Sequence, residues 1–178
     1  MKVFVCVTVL LFSSLFRPVS ATTYMTQQEF INSAFGDSMP SQKPQAKTLW
    51  LDKAVQKKIT AILDHRYPKL RLRYWLQQAT DKIQTVWFLD EIGKERPISF
   101  AVSVVNGRVE LIRVLAFRES RGGEIQMRAF TDQFFQIGLN NEDALDKNID
   151  GISGATMSVS AMKKITRIAL MLHKEVTL

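Results

Sequence analysis

The sequence predicts an α+β domain in which helices pack on an antiparallel sheet of at least four strands, with a long helix at the C-terminal end. Two patterns predict this class. Apolar residues at helical spacing precede and follow a central block of β-branched and aromatic segments, and an Asn-Gly pair separates two of those segments. The 178 residues suit one ordinary domain, and a hydrophobic fraction of 46% is enough to form a core.

The first 21 residues have the pattern of a secretory signal peptide. Lys2 gives a positive start, an apolar run covers residues 3–16, and Pro18 precedes the small-residue end at Ala21. We expect cleavage after Ala21 and a mature protein on the periplasmic or extracytoplasmic side of the membrane. The alternative is an uncleaved anchor, although the apolar run is shorter than the roughly 20 residues that a spanning helix needs.

The only cysteine, Cys6, lies inside this leader. The mature chain would therefore have no disulfide, thiolate metal site, iron–sulfur cluster or c-type haem, since each of these requires cysteine. The net charge is +7, and loss of Lys2 and Arg17 would leave +5. Because export argues against a nucleic-acid partner, the positive charge favours an acidic redox partner or an anionic membrane surface.

The segment 22–79 is predicted to be an N-terminal helical segment. Thr26 and Glu29 have the spacing of a capping box, which predicts a short helix that reaches Phe35. A second helix is predicted over 47–65, with one apolar face that consists of Leu51, Ala54 or Val55, Ile59 and Ile62. Tyr67-Pro68 would stop it.

Four strands are predicted next, over 70–76, 83–89, 98–105 and 109–117, because these runs are rich in β-branched and aromatic residues. Asn106-Gly107 lies between the last two and predicts a tight hairpin, since both turn positions need positive φ.

Helical spacing returns near the C-terminus. A helix is predicted over 129–137, followed by a polar loop over 138–149 and a long helix over 156–174. The buried stripe of the long helix is predicted to consist of Met162, Ile165, Ala169, Leu172 and Val176.

The segment from Asp150 to Ser158 reads Asp-Gly-Ile-Ser-Gly-Ala-Thr-Met-Ser and leads from a turn into this last helix. Thr156 then lies in the first helical turn, where unpaired N–H groups and the helix dipole favour a phosphate. From physical chemistry alone, a simple Ser/Thr helix cap explains the same residues.

The segment resembles the flavinylation signature of the FMN-binding domain family, which includes the small flavoprotein subunits of the sodium-pumping quinone reductase and the Rnf complex. The matching positions are Asp150, Ser153, Gly154, Ala155, Thr156 and Ser158, whereas Val159 departs from the pattern at a second hydroxyl position. The resemblance implies that FMN is joined through its phosphate to the Thr156 hydroxyl. It also implies a dedicated FMN transferase that uses FAD and magnesium.

A second segment supports the resemblance. Glu119, Gly122 and Gly123, followed by aromatic residues at 130 and 134, are similar to a family segment that follows the last central strand. The resemblance covers roughly residues 80–176 and implies that Glu119 lies near the cofactor. We therefore divide the chain into a leader over 1–21, the helical segment over 22–79, and an FMN-binding domain over 80–178 that forms one compact domain with the preceding helices.

Other residues carry weaker hypotheses. His65 and His173 are expected at helix ends rather than in a metal or haem site. Arg118 and Arg121 could meet a reduced flavin or simply face solvent. The three tryptophans could stack on the flavin, but core or sheet packing is the commoner use of such residues; they are Trp50, Trp75 and Trp87.

The leader and the resemblance together predict an exported electron carrier, and we expect its partner to be a membrane-bound or haem-bearing redox protein. The alternatives are a flavin-dependent reductase of a small molecule and a non-redox exported module in which Thr156 only caps a helix. A reductase would need a substrate pocket with charged and acid–base groups, and a separate domain usually supplies one.

Overall fold

The computed structural model describes residues 21–36 and 43–177. Residues 1–20 of the predicted leader lie outside the described residues. The centre of the fold is a six-stranded antiparallel sheet with the order β1-β6-β5-β4-β3-β2. The strands are β1 (Thr22–Thr23), β2 (Gln45–Trp50), β3 (Arg71–Gln78), β4 (Ile83–Ile92), β5 (Pro97–Val105) and β6 (Arg108–Phe117).

Helices cover both faces of the sheet. They are α1 (Gln27–Phe35), α2 (Lys53–Leu63), α3 (Arg128–Thr131) and α4 (Thr156–Thr177). Helix α4 packs with α2 on one face, and α1 packs on β4, β5 and β6 on the other face. The predicted α+β class with a long C-terminal helix is therefore confirmed. None of the described helices combines the length and the apolar character that crossing a bilayer requires.

The main core lies between the sheet and helix α4. Trp87 of β4 is fully buried and stacks on Tyr74 of β3, with ring centroids 4.6 Å apart. Met162 and Ile165 of α4 are also fully buried in this cluster. Each such side chain contributes about 1.5–3 kcal/mol to folding relative to an exposed position, so α4 is held firmly against the sheet.

The local sequence signals at α1 and at the hairpin are confirmed. Thr26 and Glu29 form both hydrogen bonds of a capping box at the start of α1. Asn106 and Gly107 have φ values of 48° and 78° between β5 and β6, as a tight hairpin requires.

The prediction of one helix over 47–65 is wrong at its start. Residues Gln45–Trp50 form the edge strand β2, which pairs with β3, and α2 begins only at Lys53. Asp52 is the reason for this boundary, because its side chain accepts the backbone N–H of Val55 and caps the helix. The segment 22–79 thus contributes three strands as well as two helices.

The helix predicted over 129–137 is also shorter. Only Arg128–Thr131 is α-helical, and Asp132–Phe134 continues as a 3-10 turn. Gln136 has a positive φ of 58°, which ends the helical path before the polar loop.

The two histidines lie towards helix ends, as predicted, but in different surroundings. His65 follows α2, and its Nε2 lies 3.0 Å from the buried carboxylate of Glu91. His173 is 3% exposed inside α4, and its ring is hydrogen-bonded on both sides. Burial lowers the pKa of His173 to about 4, so its ring is neutral at pH 7.

Candidate functional site

The turn before α4 orients Thr156. The N–H of Ala155 donates to the carbonyl of Ile152 at 3.0 Å, and Gly154 has a left-handed φ of 82°. Ala155 is 3% exposed and packs into the core, whereas the Thr156 side chain that follows it is exposed. The turn thus buries one residue and presents the next at the helix N-terminus.

Two hydrogen bonds hold the chain that enters this turn. The Nζ of Lys163, two turns along α4, donates to the carbonyl of Ile149 at 2.8 Å. The N–H of Asp150 donates to the side-chain oxygen of Gln133 at 2.9 Å. Because both partners lie on elements packed into the core, the turn has a fixed position relative to α4.

Thr156 lines a cavity of about 540 Å³ at one end of the sheet. Its walls come from the β4–β5 turn, the chain after β6 and the first turn of α4, and they consist of Lys94, Glu95, Glu119, Ser120, Arg121, Gly154, Ala155, Thr156, Met157 and Ser158. A second cavity of about 440 Å³ adjoins it and shares Glu119, Ser120, Arg121 and Gly154. Ser153, Gly122 and Tyr24 line the second cavity. The combined space is large enough for a cofactor-sized ligand.

Glu119 lines both cavities, but its carboxylate serves the β4–β5 turn. One oxygen accepts the backbone N–H groups of Lys94, Glu95 and Arg96 at 2.6–2.8 Å. Partial burial by itself would raise the pKa of Glu119, but these three donors and the charge of Lys94 outweigh it and lower the pKa. Glu119 is therefore ionised at neutral pH and fixes one wall of the cavity.

A close contact joins the chain after β6 to α4. Gly122 is buried with a φ of 87°, and a Cβ at this position would lie 2.6 Å from the Oγ of Ser158. Only glycine fits both the conformation and the space. Ser158, 4% exposed, thus sets the distance between the two cavity walls.

Two cations and the positive end of a helix dipole lie near Thr156, in a cavity that the carboxylates of Glu95 and Glu119 also line. Lys94 and Arg121 line the same cavity as the first turn of α4, where the helix dipole is positive. Lys94 also lies 3.9 Å from Glu95, an exposed pair that contributes little. Arg121 forms no salt bridge within the described part of the chain.

The structure brings most of the predicted site residues together. Gly154, Ala155, Thr156, Ser158 and Glu119 line the first cavity, and Ser153 lines the second. Asp150 lines neither of them. Val159, which departs from the family pattern, is 5% exposed and packs in the main core, so the missing hydroxyl faces away from the cavity.

The residues that carried the weaker hypotheses lie in different parts of the structure. None of the three tryptophans lines either cavity. Arg118 donates to the carbonyl of Pro97 and to Ser99 at 3.0 Å and so ties β6 to β5, whereas Arg121 faces the cavity. Sequence reasoning missed Lys94 and Glu95. The signal that could have found them is the turn at Gly93–Arg96 between two long strands, which places these residues at a sheet end.

Comparison with known proteins agrees with this geometry. Residues 93–171 match the family model described as the FMN-binding domain, and this range includes the β4–β5 turn, Glu119 and the first turn of α4. No curated protein gives a significant match to the sequence. Residues 93–171 are thus similar to the FMN-binding domain family.

Proposed function

We propose that the protein is an exported electron-transfer flavoprotein in which the phosphate of FMN is joined covalently to the hydroxyl of Thr156. The observation that carries the proposal is the exposed Thr156 hydroxyl at the N-terminus of α4, on the wall of a cavity within the range that matches the FMN-binding domain. The sequence around it supports the proposal, since six positions match the flavinylation signature.

The residues around Thr156 fit a flavin phosphate. Free N–H groups in the first turn of α4 and the cations of Lys94 and Arg121 suit a phosphate diester, which keeps one negative charge. Gly122 lets two backbone segments approach where a Cβ would collide with Ser158. The cavity of about 540 Å³ lies in the usual range for cofactor sites, and its neighbour leaves room for a ring system.

The attachment is a phosphoryl transfer by a separate FMN transferase. The Thr156 oxygen would form a bond to the FMN phosphorus of FAD, the pyrophosphate bond would break, and AMP would leave with the hydroxyl proton. Glu119 lines the same cavity as Thr156, but one of its carboxylate oxygens already accepts three backbone N–H groups and holds the β4–β5 turn. The transferase would therefore supply the base.

When bound, FMN supplies one- and two-electron transfer. The chain's own residues hold the phosphate and shape a cavity that opens to solvent beside Met157, whose side chain is 53% exposed. An open site suits exchange of electrons with another protein, and a covalent link keeps the cofactor from being lost outside the cell. We propose a membrane-bound or haem-bearing redox protein as the partner.

Mass spectrometry of the intact protein tests the attachment. Co-expression with an FMN transferase is expected to add the mass of one FMN less water, and the colour is expected to survive acid precipitation. Thr156→Ala is expected to abolish both signals with a loss of at most about 1 kcal/mol in the free energy of unfolding. Ser160→Ala is the matched control, because it removes a half-buried hydroxyl of the same helix that lines neither cavity.

A Thr156→Ala protein that still carried acid-stable FMN would move the attachment elsewhere, with Ser153 and Ser158 as the next sites to test. An unmodified wild-type chain, in a host that flavinylates a known substrate, would refute covalent attachment and leave Thr156 as a helix cap. The electron-transfer role has a separate test in stopped-flow reduction of the flavin by membranes of the native organism. Slow exchange with every membrane fraction, with fast turnover of a soluble acceptor, would favour a reductase instead.

A further inference from the structure

Strands β2 and β3 carry an exposed surface of arginine and tryptophan on the face opposite α4. Residues 72, 74 and 76 of β3 point into the main core, so the alternate residues point away from it. The register places Ala46 opposite Trp75, Thr48 opposite Arg73, and Trp50 opposite Arg71. We call these six residues the Trp–Arg face.

The Trp–Arg face is not covered by another element of the described structure. Helix α1 lies on the same side of the sheet but packs on β4, β5 and β6. Trp50 is 66% exposed, and Arg71 and Arg73 are exposed. Trp75 is partly buried and contacts Phe88 edge-on at 5.2 Å, which joins the face to the smaller core cluster under α1.

The two arginines of this face lie against tryptophan rings and are not paired with carboxylates of the described residues. The guanidinium of Arg71 lies 5.6 Å from the ring centroid of Trp50, and that of Arg73 lies 5.2 Å from the ring centroid of Trp75. Neither arginine forms a salt bridge with a carboxylate in the described residues. Asp90 on the adjoining strand already binds Lys69 at 3.1 Å and Ser99 at 2.7 Å.

We propose that the Trp–Arg face binds the surface of an anionic lipid bilayer. Tryptophan side chains are favoured at the bilayer interface, where the ring contacts acyl chains and the N–H stays hydrated. Arginine binds phosphate with paired hydrogen bonds, so Arg71 and Arg73 match the chemistry of phospholipid headgroups. The face is a sheet surface rather than a groove, and such a surface suits a bilayer better than it suits a peptide segment.

Part of the Trp–Arg face lies at the same end of the sheet as the Thr156 cavity. Strand β3 starts at the end of the sheet where β4 finishes, because the two strands are antiparallel. Trp50 and Arg71 therefore lie at the same end of the sheet as the turn that contributes Lys94 to the Thr156 cavity. Binding through this face would hold that end near the bilayer. The membrane proposal itself does not depend on the flavin.

Vesicle flotation tests the proposal with the protein purified from an exporting host. Vesicles of phosphatidylcholine with about 30% phosphatidylglycerol are compared with pure phosphatidylcholine at low and high salt. The wild-type protein is expected to float with the anionic vesicles at low salt only. R71Q/R73Q is expected to lower the partition coefficient about 25-fold, since each basic residue at such a surface contributes about a factor of five.

The matched control is K82Q/K147Q, which removes two exposed charges away from the face. It is expected to change binding no more than about twofold, because distant charges are screened. Trp50→Ser tests the apolar contribution and is expected to weaken binding without changing the melting temperature. The same experiment on Thr156→Ala is expected to give wild-type binding, which separates this proposal from flavin attachment.

Three results would overturn the proposal: no binding of the wild-type protein to anionic vesicles, equal losses in R71Q/R73Q and K82Q/K147Q, or binding that pure phosphatidylcholine matches. Slower reduction of R71Q/R73Q by an acidic redox protein, with no vesicle binding by the wild type, would also overturn it. That result would assign the face to a protein partner.

Discussion

The neutral state of His173 makes stability depend on pH in a defined window. The N–H of Gly107 donates to Nε2 of His173 at 3.1 Å, so Nε2 must be unprotonated. Nδ1 then carries the proton and donates to the hydroxyl oxygen of Thr85 at 2.8 Å. The same oxygen accepts the indole N–H of Trp87 at 2.9 Å. Protonation of Nε2 would place two donors against each other inside the core.

The size of this loss of stability follows from the pKa of His173. Burial lowers the pKa of His173 from 6.5 to about 4, so the unfolded chain binds the proton first as pH falls. Stability from His173 is complete above pH 6.5 and is lost as pH falls towards 4. The loss is about 2 kcal/mol between pH 7 and pH 5, and about 3 kcal/mol when both states are protonated.

Urea denaturation between pH 7 and pH 5 measures this loss directly. Between pH 7 and pH 5, a loss of about 2 kcal/mol in the free energy of unfolding lowers the melting temperature of a domain of this size by about 4–8 °C. The assay compares wild type with His173→Gln and with His65→Gln, the other histidine. His173→Gln is expected to be less stable at pH 7 but nearly independent of pH above 5. A wild-type curve that is flat over this range, or one flattened by His65→Gln instead, would refute the assigned role of His173.

The remaining predictions concern the cavity walls. Glu119→Ala is expected to lower the free energy of unfolding by about 2 kcal/mol, because three backbone N–H groups lose their acceptor. Glu119→Gln is expected to recover part of this loss. Equal stability of the two variants in urea would contradict the role of Glu119. Gly122→Ala is expected to cost about 2 kcal/mol through its left-handed φ and its contact with Ser158, and less in a Ser158→Ala background. Lys163→Met removes the hydrogen bond to the carbonyl of Ile149 and is expected to reduce flavin incorporation. The free energy of unfolding is expected to fall by only about 1 kcal/mol. Unchanged incorporation, measured by mass spectrometry, would show that this hydrogen bond is dispensable.

The parts of the fold predicted best are those set by neighbouring residues. The capping box at Thr26, the Asn106-Gly107 hairpin and the turn into α4 each depend on groups within a few positions of one another. The flavin signature was recognised as a continuous motif for the same reason. Local chemistry decides these structures, so one sequence is sufficient to predict them.

The predictions fail where contacts between residues far apart in the sequence decide the local structure. Residues Gln45–Trp50 alternate poorly and continue the apolar spacing of α2, and only pairing with β3 makes them a strand. The role of Glu119 depends on a turn more than twenty positions earlier in the chain. His173 is predicted to lie at the end of the last helix, but its hydrogen-bond partners lie on β4 and in the turn between β5 and β6. No periodicity in a single sequence records such pairings.

The cavity at Thr156 is framed by interactions that do not involve a cofactor. Glu119 holds the β4–β5 turn, Lys163 holds the entry to the α4 turn, and Gly122 sets the spacing at Ser158. Each of these contacts is internal to the chain, so we expect the apoprotein to fold before any modification. A transferase would then meet a Thr156 hydroxyl already in position, on a rigid helix rather than a loose loop. Under the proposed function, attachment therefore follows folding, and the loss of FMN is expected to change activity far more than stability.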